Sequence, residues 1–279
     1  MKIFKGSAVF MLVAVVLLVV YYLALHHKNN NNNAEVSPVS KTDTVKTENK
    51  NDAAKADTTI SIEYLMGKFN PAKDKSFTEC DLEYANREGI YLQEETYKAF
   101  IKMFYAAKND GVSLKIISGA RNFNYQKSIW EQKWNGGRLV DGKNLANIVK
   151  DPVERATIIL KYSSMPGTSR HHWGTDMDLN SMENKYFETP AGKKIYDWLC
   201  NNAAKYGFCQ PFSALGDKRK NGYQEEKWHW SYLPLAKIFL KEYQKKVTYD
   251  HITGFAGSQT AKELKVIDNY VMSINQGCE

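Results

Sequence analysis

Histidines are few in this sequence, and half of them lie close in sequence to acidic residues. Six histidines occur in 279 residues. Two of them, His26 and His27, follow a long apolar run, whereas three others fall in two short clusters over 166–178 and 226–230. Imidazole and carboxylate together suit Zn²⁺, and a catalytic zinc takes three protein ligands while one position stays open for water. The two clusters therefore predict a metal centre.

Strand alternation shows how three of these side chains can meet. In a strand over 175–180, Asp178 lies on a face that every second residue shares. In a strand over 227–232, His229 lies on the face opposite its two flanking tryptophans. His171 precedes the first strand, with a glycine between them that can turn the chain. The three side chains can therefore converge from a loop and two neighbouring strands.

The pattern leaves an alternative open for two of these positions. His172 is adjacent to His171 and offers the same imidazole. Asp176 lies two residues before Asp178 and shares its strand face. The residue pattern alone does not decide between the members of each pair.

Glu226 precedes His229 by three residues and raises a question of geometry. In a regular strand, residues three apart lie on opposite faces. Glu226 and His229 can therefore share a site only if the strand begins, or bulges, between them.

Apolar periodicity and capping residues indicate the elements around these clusters. A helical stripe covers 92–109, and a strand follows over 112–117. Further helices are predicted over 125–134, from Asp151, from Thr189 to Gly207, and over 234–247 and 260–275. Short strands near 175–180, 206–210 and 227–232 complete an α+β fold with a small, mainly antiparallel sheet flanked by helices.

The net charge of +7 is modest for a chain of this length and carries no basic run beyond residue 60. Such a charge fits an anionic surface or substrate better than a duplex-binding face. No nucleic-acid partner is expected.

An uncharged run of eighteen residues occupies 8–25, preceded by Lys2 and Lys5. A helix of that length reaches about 27 Å, close to the thickness of the bilayer core. The run exceeds the apolar core of most signal peptides, and no small-x-small cleavage site follows it. We therefore predict an N-terminal membrane anchor over 1–27, rather than a cleaved signal peptide, with the rest of the chain exported.

Residues 28–59 contain no aromatic residue and include five consecutive asparagines. A segment of this composition cannot bury enough apolar surface to offset the entropy of ordering, so we predict a disordered tether. Aromatic residues return from residue 60, which predicts one domain over 60–279 held at a membrane.

Four cysteines lie in the predicted domain, at spacings unlike those of a zinc site. They are Cys80, Cys200, Cys209 and Cys278. Four cysteines allow three pairings. A Cys200–Cys209 disulfide would join a helix end to the next strand, and free buried thiols are the alternative.

Three short motifs occur in a fixed order between residues 90 and 235. They are Ser118-Gly119-Ala120-Arg121 with Gln126, then Pro166-Gly167-x-Ser169-x-His171-x-x-Gly174-x-x-x-Asp178, and then Glu226-x-Trp228-His229. In this order and spacing the chain resembles the VanY-type D-alanyl-D-alanine carboxypeptidases. These are zinc peptidases whose fold is shared with hedgehog signalling domains.

The resemblance implies a role for each residue of the metal centre. His171, Asp178 and His229 would bind Zn²⁺. Glu226 would be the general base, which takes a proton from the zinc-bound water and passes it to the leaving amine. Asp176 stands where the family often has a small residue, and an extra carboxylate beside the metal would affect substrate preference.

The resemblance also implies residues that bind the substrate. Arg121 would stabilise the oxyanion of the tetrahedral intermediate or hold the substrate. Ser169 and Gln126 would bind the terminal carboxylate or the peptide groups.

The predicted function is removal of the C-terminal D-alanine from peptidoglycan stem peptides. A cell-wall endopeptidase or dipeptidase of the same fold is an alternative within the same chemistry. A non-catalytic, zinc-containing module that binds the wall is an alternative from another class, although such a module would not need Glu226. A serine hydrolase is disfavoured because no Gly-x-Ser-x-Gly elbow is present.

Overall fold

Residues 60–217 and 219–278 are described by the structure, which is a computed structural model. The predicted anchor and tether lie outside these residues. Within the two described ranges, no helix combines the length and the apolar character needed to cross a membrane.

Two antiparallel sheets form the strand layer of the described residues. The smaller pairs β1 (Phe77–Glu79) with β2 (Tyr91–Gln93). The larger has the order β3–β4–β6–β5 and consists of β3 (Ile116–Ser118), β4 (Asp176–Leu179), β5 (Phe208–Cys209) and β6 (His229–Tyr232). Every pair in it is antiparallel, as the sequence predicts for the main sheet.

Seven α-helices surround the sheets in the described part of the chain. They are α1 (Ile62–Leu65), α2 (Glu94–Asn109), α3 (Phe123–Trp134), α4 (Leu145–Ile148), α5 (Pro152–Ile159), α6 (Pro190–Asn202) and α7 (Leu233–Lys246). Asp151 and Thr189 cap α5 and α6, since each side chain accepts a hydrogen bond from a backbone N–H of the first turn. Both predicted helix starts are confirmed.

The buried apolar residues of β4 fix the orientation of the main sheet. Met177 and Leu179 are fully buried in a cluster that also contains Phe100 of α2, Leu199 of α6 and Trp230 of β6. Side chains alternate along a strand, so the aspartates of β4 lie on the opposite face. Burial of the apolar face therefore presents the carboxylates to the other side of the sheet.

The predicted helix over 260–275 is wrong. A 3₁₀ turn occupies Ser258–Thr260 and a single π-type turn occupies Ile267–Val271. Lys265 between them has φ of +48°, a left-handed conformation that an α-helix does not accommodate. The apolar spacing that suggested a helix reflects residues buried from an irregular segment, including Val266 and Ile274.

A disulfide joins Cys209 of β5 to Cys278 near the end of the chain. The considered Cys200–Cys209 pairing is therefore wrong, and Cys200 is an exposed free thiol. Cys80 is a buried free thiol. The disulfide closes a loop of 69 residues and holds the irregular C-terminal segment against the main sheet.

Candidate active site

The register between β4 and β6 brings the polar residues of the two strands together. Asp176 lies opposite Ser231, and Asp178 lies opposite His229. Because the partners are directly opposed, all four side chains share one face of the sheet. Strand β6 begins at His229, so Glu226 lies before the strand. The N–H of His229 donates to the carbonyl of Glu226 at 3.2 Å, which places both residues in one turn.

His171 reaches the same face from a short 3₁₀ turn over Arg170–Trp173. Gly174 ends that turn with φ of +70° and leads the chain into β4. A Cβ at Gly174 would lie 2.2 Å from Cε1 of Phe77, so both the backbone conformation and the close packing require glycine. The glycine thus fixes the distance between His171 and the strand.

His171, Asp178 and His229 form a compact donor cluster. Each offers one ligand atom, and these atoms all lie within 4.8 Å of one another. Nε2 of His171 lies 3.3 Å from Oδ1 of Asp178, which lies 3.5 Å from Nδ1 of His229. Nε2 of His171 and Oδ1 of Asp178 are buried and have no hydrogen-bond partner. Buried polar atoms left without partners are costly, and a bound Zn²⁺ would satisfy these donors.

The second nitrogen of each imidazole in the cluster is held by the protein. Nδ1 of His171 lies 2.8 Å from the carbonyl of Gly119. Nε2 of His229 lies 2.9 Å from Oδ2 of Asp176. Such contacts fix the tautomer and the orientation of a metal-binding imidazole. Nε2 of His171 and Nδ1 of His229 therefore face the centre of the cluster.

His172 has a different role from its neighbour. Nδ1 of His172 lies 2.6 Å from the carbonyl of Arg121, and Nε2 accepts the N–H of Gly167 at 3.0 Å. Burial lowers the pKa of His172 to about 3, so the ring is neutral. Because both ring nitrogens are engaged with the backbone, His172 joins two loops and has no nitrogen left for a metal.

Asp176 lies at the centre of a buried polar network. Its carboxylate accepts from Nε of Arg170 at 2.9 Å, from Ser231 at 2.8 Å and from Thr175 at 2.6 Å, besides its contact with His229. Burial alone would raise the pKa of Asp176, but Arg170 and His229 hold it well below the usual range. Asp176 does not line the cleft described below. Asp176 contacts the metal centre through His229, and its expected effect on substrate preference stays a prediction.

We expect Asp176→Asn to lower the free energy of unfolding by about 3–5 kcal/mol, because it leaves the guanidinium of Arg170 buried without a counter-ion. Both side chains are almost inaccessible to solvent. Urea denaturation of the metal-free protein measures the effect. The control is Asp197→Asn, which breaks an exposed pair with Lys193 and should cost no more than about 1 kcal/mol. Equal losses in the two variants would contradict the role of the network.

Glu226 lies beside the donor cluster without belonging to it. One of its carboxylate oxygens, Oε2, is 3.1 Å from Nδ1 of His229, the nitrogen that faces the cluster. Its own backbone N–H donates to the carbonyl of Phe212, which fixes the start of the turn. Burial raises the pKa of Glu226. A carboxylate with a raised pKa at this position is suited to accept a proton near neutral pH.

All seven residues singled out from the sequence line one cleft of about 780 Å³. Besides the donor cluster and Glu226, they include Arg121, Gln126 and Ser169. Nε of Arg121, Oε1 of Gln126 and Oγ of Ser169 are buried without a hydrogen-bond partner. The amide nitrogen of Gln126 donates to the carbonyl of Ser164 at 2.8 Å, which orients the free oxygen. The cleft therefore carries unsatisfied donors and acceptors of the kind that bind a peptide.

Some residues of the cleft were missed in the sequence. Lys133 follows Gln126 by seven residues on α3, which is two helical turns and the same face, so the spacing could have revealed it. Tyr162 and Ser163 line the cleft from the segment after α5. The position of Arg170 in the cleft could not be predicted from the sequence, because the direction of a side chain on a 3₁₀ turn does not follow from periodicity.

The chain matches the model of a known protein family. The model of the VanY family, described as D-alanyl-D-alanine carboxypeptidase, matches residues 89–235, which is just over half of the chain. The match includes all seven residues singled out from the sequence.

Two curated relatives are similar over more than half of the chain. YodJ of Bacillus subtilis (strain 168), assigned to the carboxypeptidases, is 29% identical over 196 residues. That match covers 66% of this chain and 64% of the relative. The D-alanyl-D-alanine carboxypeptidase of Enterococcus faecalis is 26% identical over 170 residues, which are 61% of this chain and 57% of that protein. The chain thus matches less than two thirds of either relative's length.

Among solved structures, the chain is similar to a vancomycin-resistance D,D-pentapeptidase VanY from a VanB-type cassette, crystallised as a variant in complex with Zn(II). The two are 22% identical, with a TM-score of 0.44. The alignment covers 66% of this chain and 93% of that structure.

Proposed function

Because the chain belongs to the VanY family of D-alanyl-D-alanine carboxypeptidases, we propose that it is a zinc-dependent peptidase that removes the C-terminal D-alanine from peptidoglycan stem peptides. The observation that carries this proposal is the buried donor cluster of His171, Asp178 and His229, which lies next to Glu226 in a cleft. The similarity to the D-alanyl-D-alanine carboxypeptidase of Enterococcus faecalis supports the proposal that the cleaved bond is the one before the terminal D-alanine.

The donor cluster would hold Zn²⁺ through Nε2 of His171, Oδ1 of Asp178 and Nδ1 of His229. Zinc bound there would lower the pKa of a coordinated water and polarise the scissile carbonyl. The carboxylate of Glu226 accepts the proton of the attacking water and returns it to the leaving amine, which needs no covalent intermediate. Its position beside His229, at 3.1 Å, keeps it next to the cluster without taking a ligand position.

Arg121, Ser169 and Gln126 would hold the substrate in the cleft. The guanidinium of Arg121 provides a fixed positive charge where negative charge develops in the transition state. The hydroxyl of Ser169 donates to the terminal carboxylate, and the free oxygen of Gln126 accepts a peptide N–H. Each of these roles uses an atom that has no partner within the described part of the protein.

We further propose that the catalytic domain is exported and held at the cell membrane by the N-terminal segment. The disulfide between Cys209 and Cys278 supports an oxidising compartment. The substrate of the proposed reaction also lies outside the cytoplasmic membrane. Fusion of a reporter to residue 279 tests this topology, since a cytoplasmic reporter signal would contradict it.

Mass spectrometry of the products tests the proposed reaction. The full-length protein, purified in detergent and loaded with zinc, is incubated with a stem pentapeptide that ends in D-Ala-D-Ala. We expect release of a single D-alanine, loss of this activity after chelation with EDTA, and recovery when zinc is restored. Cleavage at an internal bond would show an endopeptidase activity instead of the proposed carboxypeptidase activity. A peptide that stays intact in the presence of the zinc-bound protein would favour a wall-binding module.

A further inference from the structure

The cleft continues beyond the residues assigned to catalysis. A second pocket of about 140 Å³ adjoins it and shares Lys133, Arg138, Asp141 and Tyr162 with it. The rest of this pocket is apolar, with Leu139, Val140, Ile158 and Ile159. Because they share these four residues, the two pockets form one continuous groove.

Lys133 lies where the two pockets meet. Its ammonium donates to Oγ of Ser163. Among the described residues, no carboxylate lies within ion-pair distance of this ammonium, although the side chain is half-buried. Burial and the nearby cations Arg138 and Arg121 lower the pKa of Lys133 to about 8, against the opposite effect of the Glu226 and Asp141 carboxylates, so it is still mostly protonated at neutral pH. A partly buried cation of this kind gains from an anionic partner that a ligand can bring.

The spacing along α3 indicates how far from the reacting bond such a partner would lie. Gln126 and Lys133 both face the groove and are seven residues apart. This spacing corresponds to about 10 Å along the helix, at ~1.5 Å per residue. An extended peptide covers that distance in about three residues. If Gln126 binds the peptide near the scissile bond, Lys133 lies beside a residue well upstream of it.

We propose that Lys133 determines specificity by binding a free carboxylate on the peptide, about three residues upstream of the cleaved bond. The preferred substrate is then a peptide that carries a free carboxylate at that position. This inference rests on the proposed function and names the part of the substrate that the upstream end of the groove recognises.

Steady-state kinetics with three substrates test this role in the zinc-loaded, full-length protein. The substrates are a pentapeptide with a free upstream carboxylate, the same peptide with that carboxylate amidated, and acetylated D-Ala-D-Ala. We expect Lys133→Met to lower kcat/KM for the acidic pentapeptide by about 10- to 100-fold, mainly through KM, because the contact exists in the ground state as well. The variant should turn over the other two substrates like the unmodified protein.

Two further variants make the test specific. Lys133→Arg keeps the charge and should restore most of the preference. Lys161→Met removes an exposed lysine that lines neither pocket and should leave all three substrates unaffected. Equal losses of Lys133→Met on the acidic and the amidated peptides would overturn the inference and leave the proposed function intact.

Failure of the proposed function has a separate signature, since the protein would then hydrolyse none of the three substrates. Calorimetric binding of the acidic and amidated peptides still decides the role of Lys133 in that case. Weaker binding of the acidic peptide alone to Lys133→Met supports the role, and unchanged binding refutes it.

Discussion

Glu226→Gln is expected to lower kcat by about 10²- to 10⁴-fold while the zinc content of the protein stays unchanged. Glutamine has the shape of glutamate and can keep the contact with His229, but it cannot accept a proton. Glu226 lies beside the donor cluster and is not one of the three clustered donors. Loss of rate without loss of metal therefore separates a general base from a ligand.

The measurement combines single-turnover rates on a pentapeptide with elemental analysis of the same samples. Glu225→Gln is the matched control, because Glu225 is adjacent, contacts the hydroxyl of Tyr196 at 3.3 Å and does not line the cleft. We expect that control to keep the full rate. Hydrolysis by Glu226→Gln at the unmodified rate would refute the assignment of the base. Loss of zinc together with activity would instead make Glu226 part of the metal site.

The geometry of the donor cluster could be predicted because it depends on strand alternation. Asp178 and His229 each alternate with buried apolar or aromatic residues, and burial of Met177 and Trp230 leaves only one face for the polar side chains. Strand alternation also predicted that Glu226 and His229 can share a site only if the strand begins, or bulges, between them. The structure meets that condition with the turn before β6.

The features that the sequence did not predict depend on contacts between distant segments. Arg170 and Asp176 are six residues apart, but their pairing needs the path of the 3₁₀ turn and the position of Ser231 on another strand. The disulfide needs the path of the chain between Cys209 and Cys278. Local propensity carries no information on either path, since both are set by tertiary packing.

The network around Asp176 also explains how an additional carboxylate fits beside a metal centre. An unpaired aspartate next to Asp178 would add a buried negative charge at high cost. Arg170 compensates that charge, and the remaining acceptor capacity of Asp176 holds Nε2 of His229. The carboxylate thus orients a donor of the cluster.

His229→Ala is expected to lower the affinity for zinc by at least about 100-fold, more than the loss of a supporting contact does in metal sites. The imidazole offers Nδ1 to the cluster and is the only donor of the three that contacts both Asp176 and Glu226. Removal of the ring takes away one ligand donor. It also leaves the buried carboxylates of Asp176 and Glu226 without their contact to an imidazole. We therefore expect a lower melting temperature as well as loss of metal.

Competition with a chromophoric chelator measures the affinity without reference to activity, and near-ultraviolet circular dichroism reports whether the domain is folded. His251→Ala is the control, because His251 bonds to Thr248 in a surface turn and lies outside the cleft. That variant should bind zinc like the unmodified protein. A folded His229→Ala protein that retains full zinc occupancy would refute the donor set, because Asp178 and His171 alone offer two of the three protein ligands that a catalytic zinc site requires.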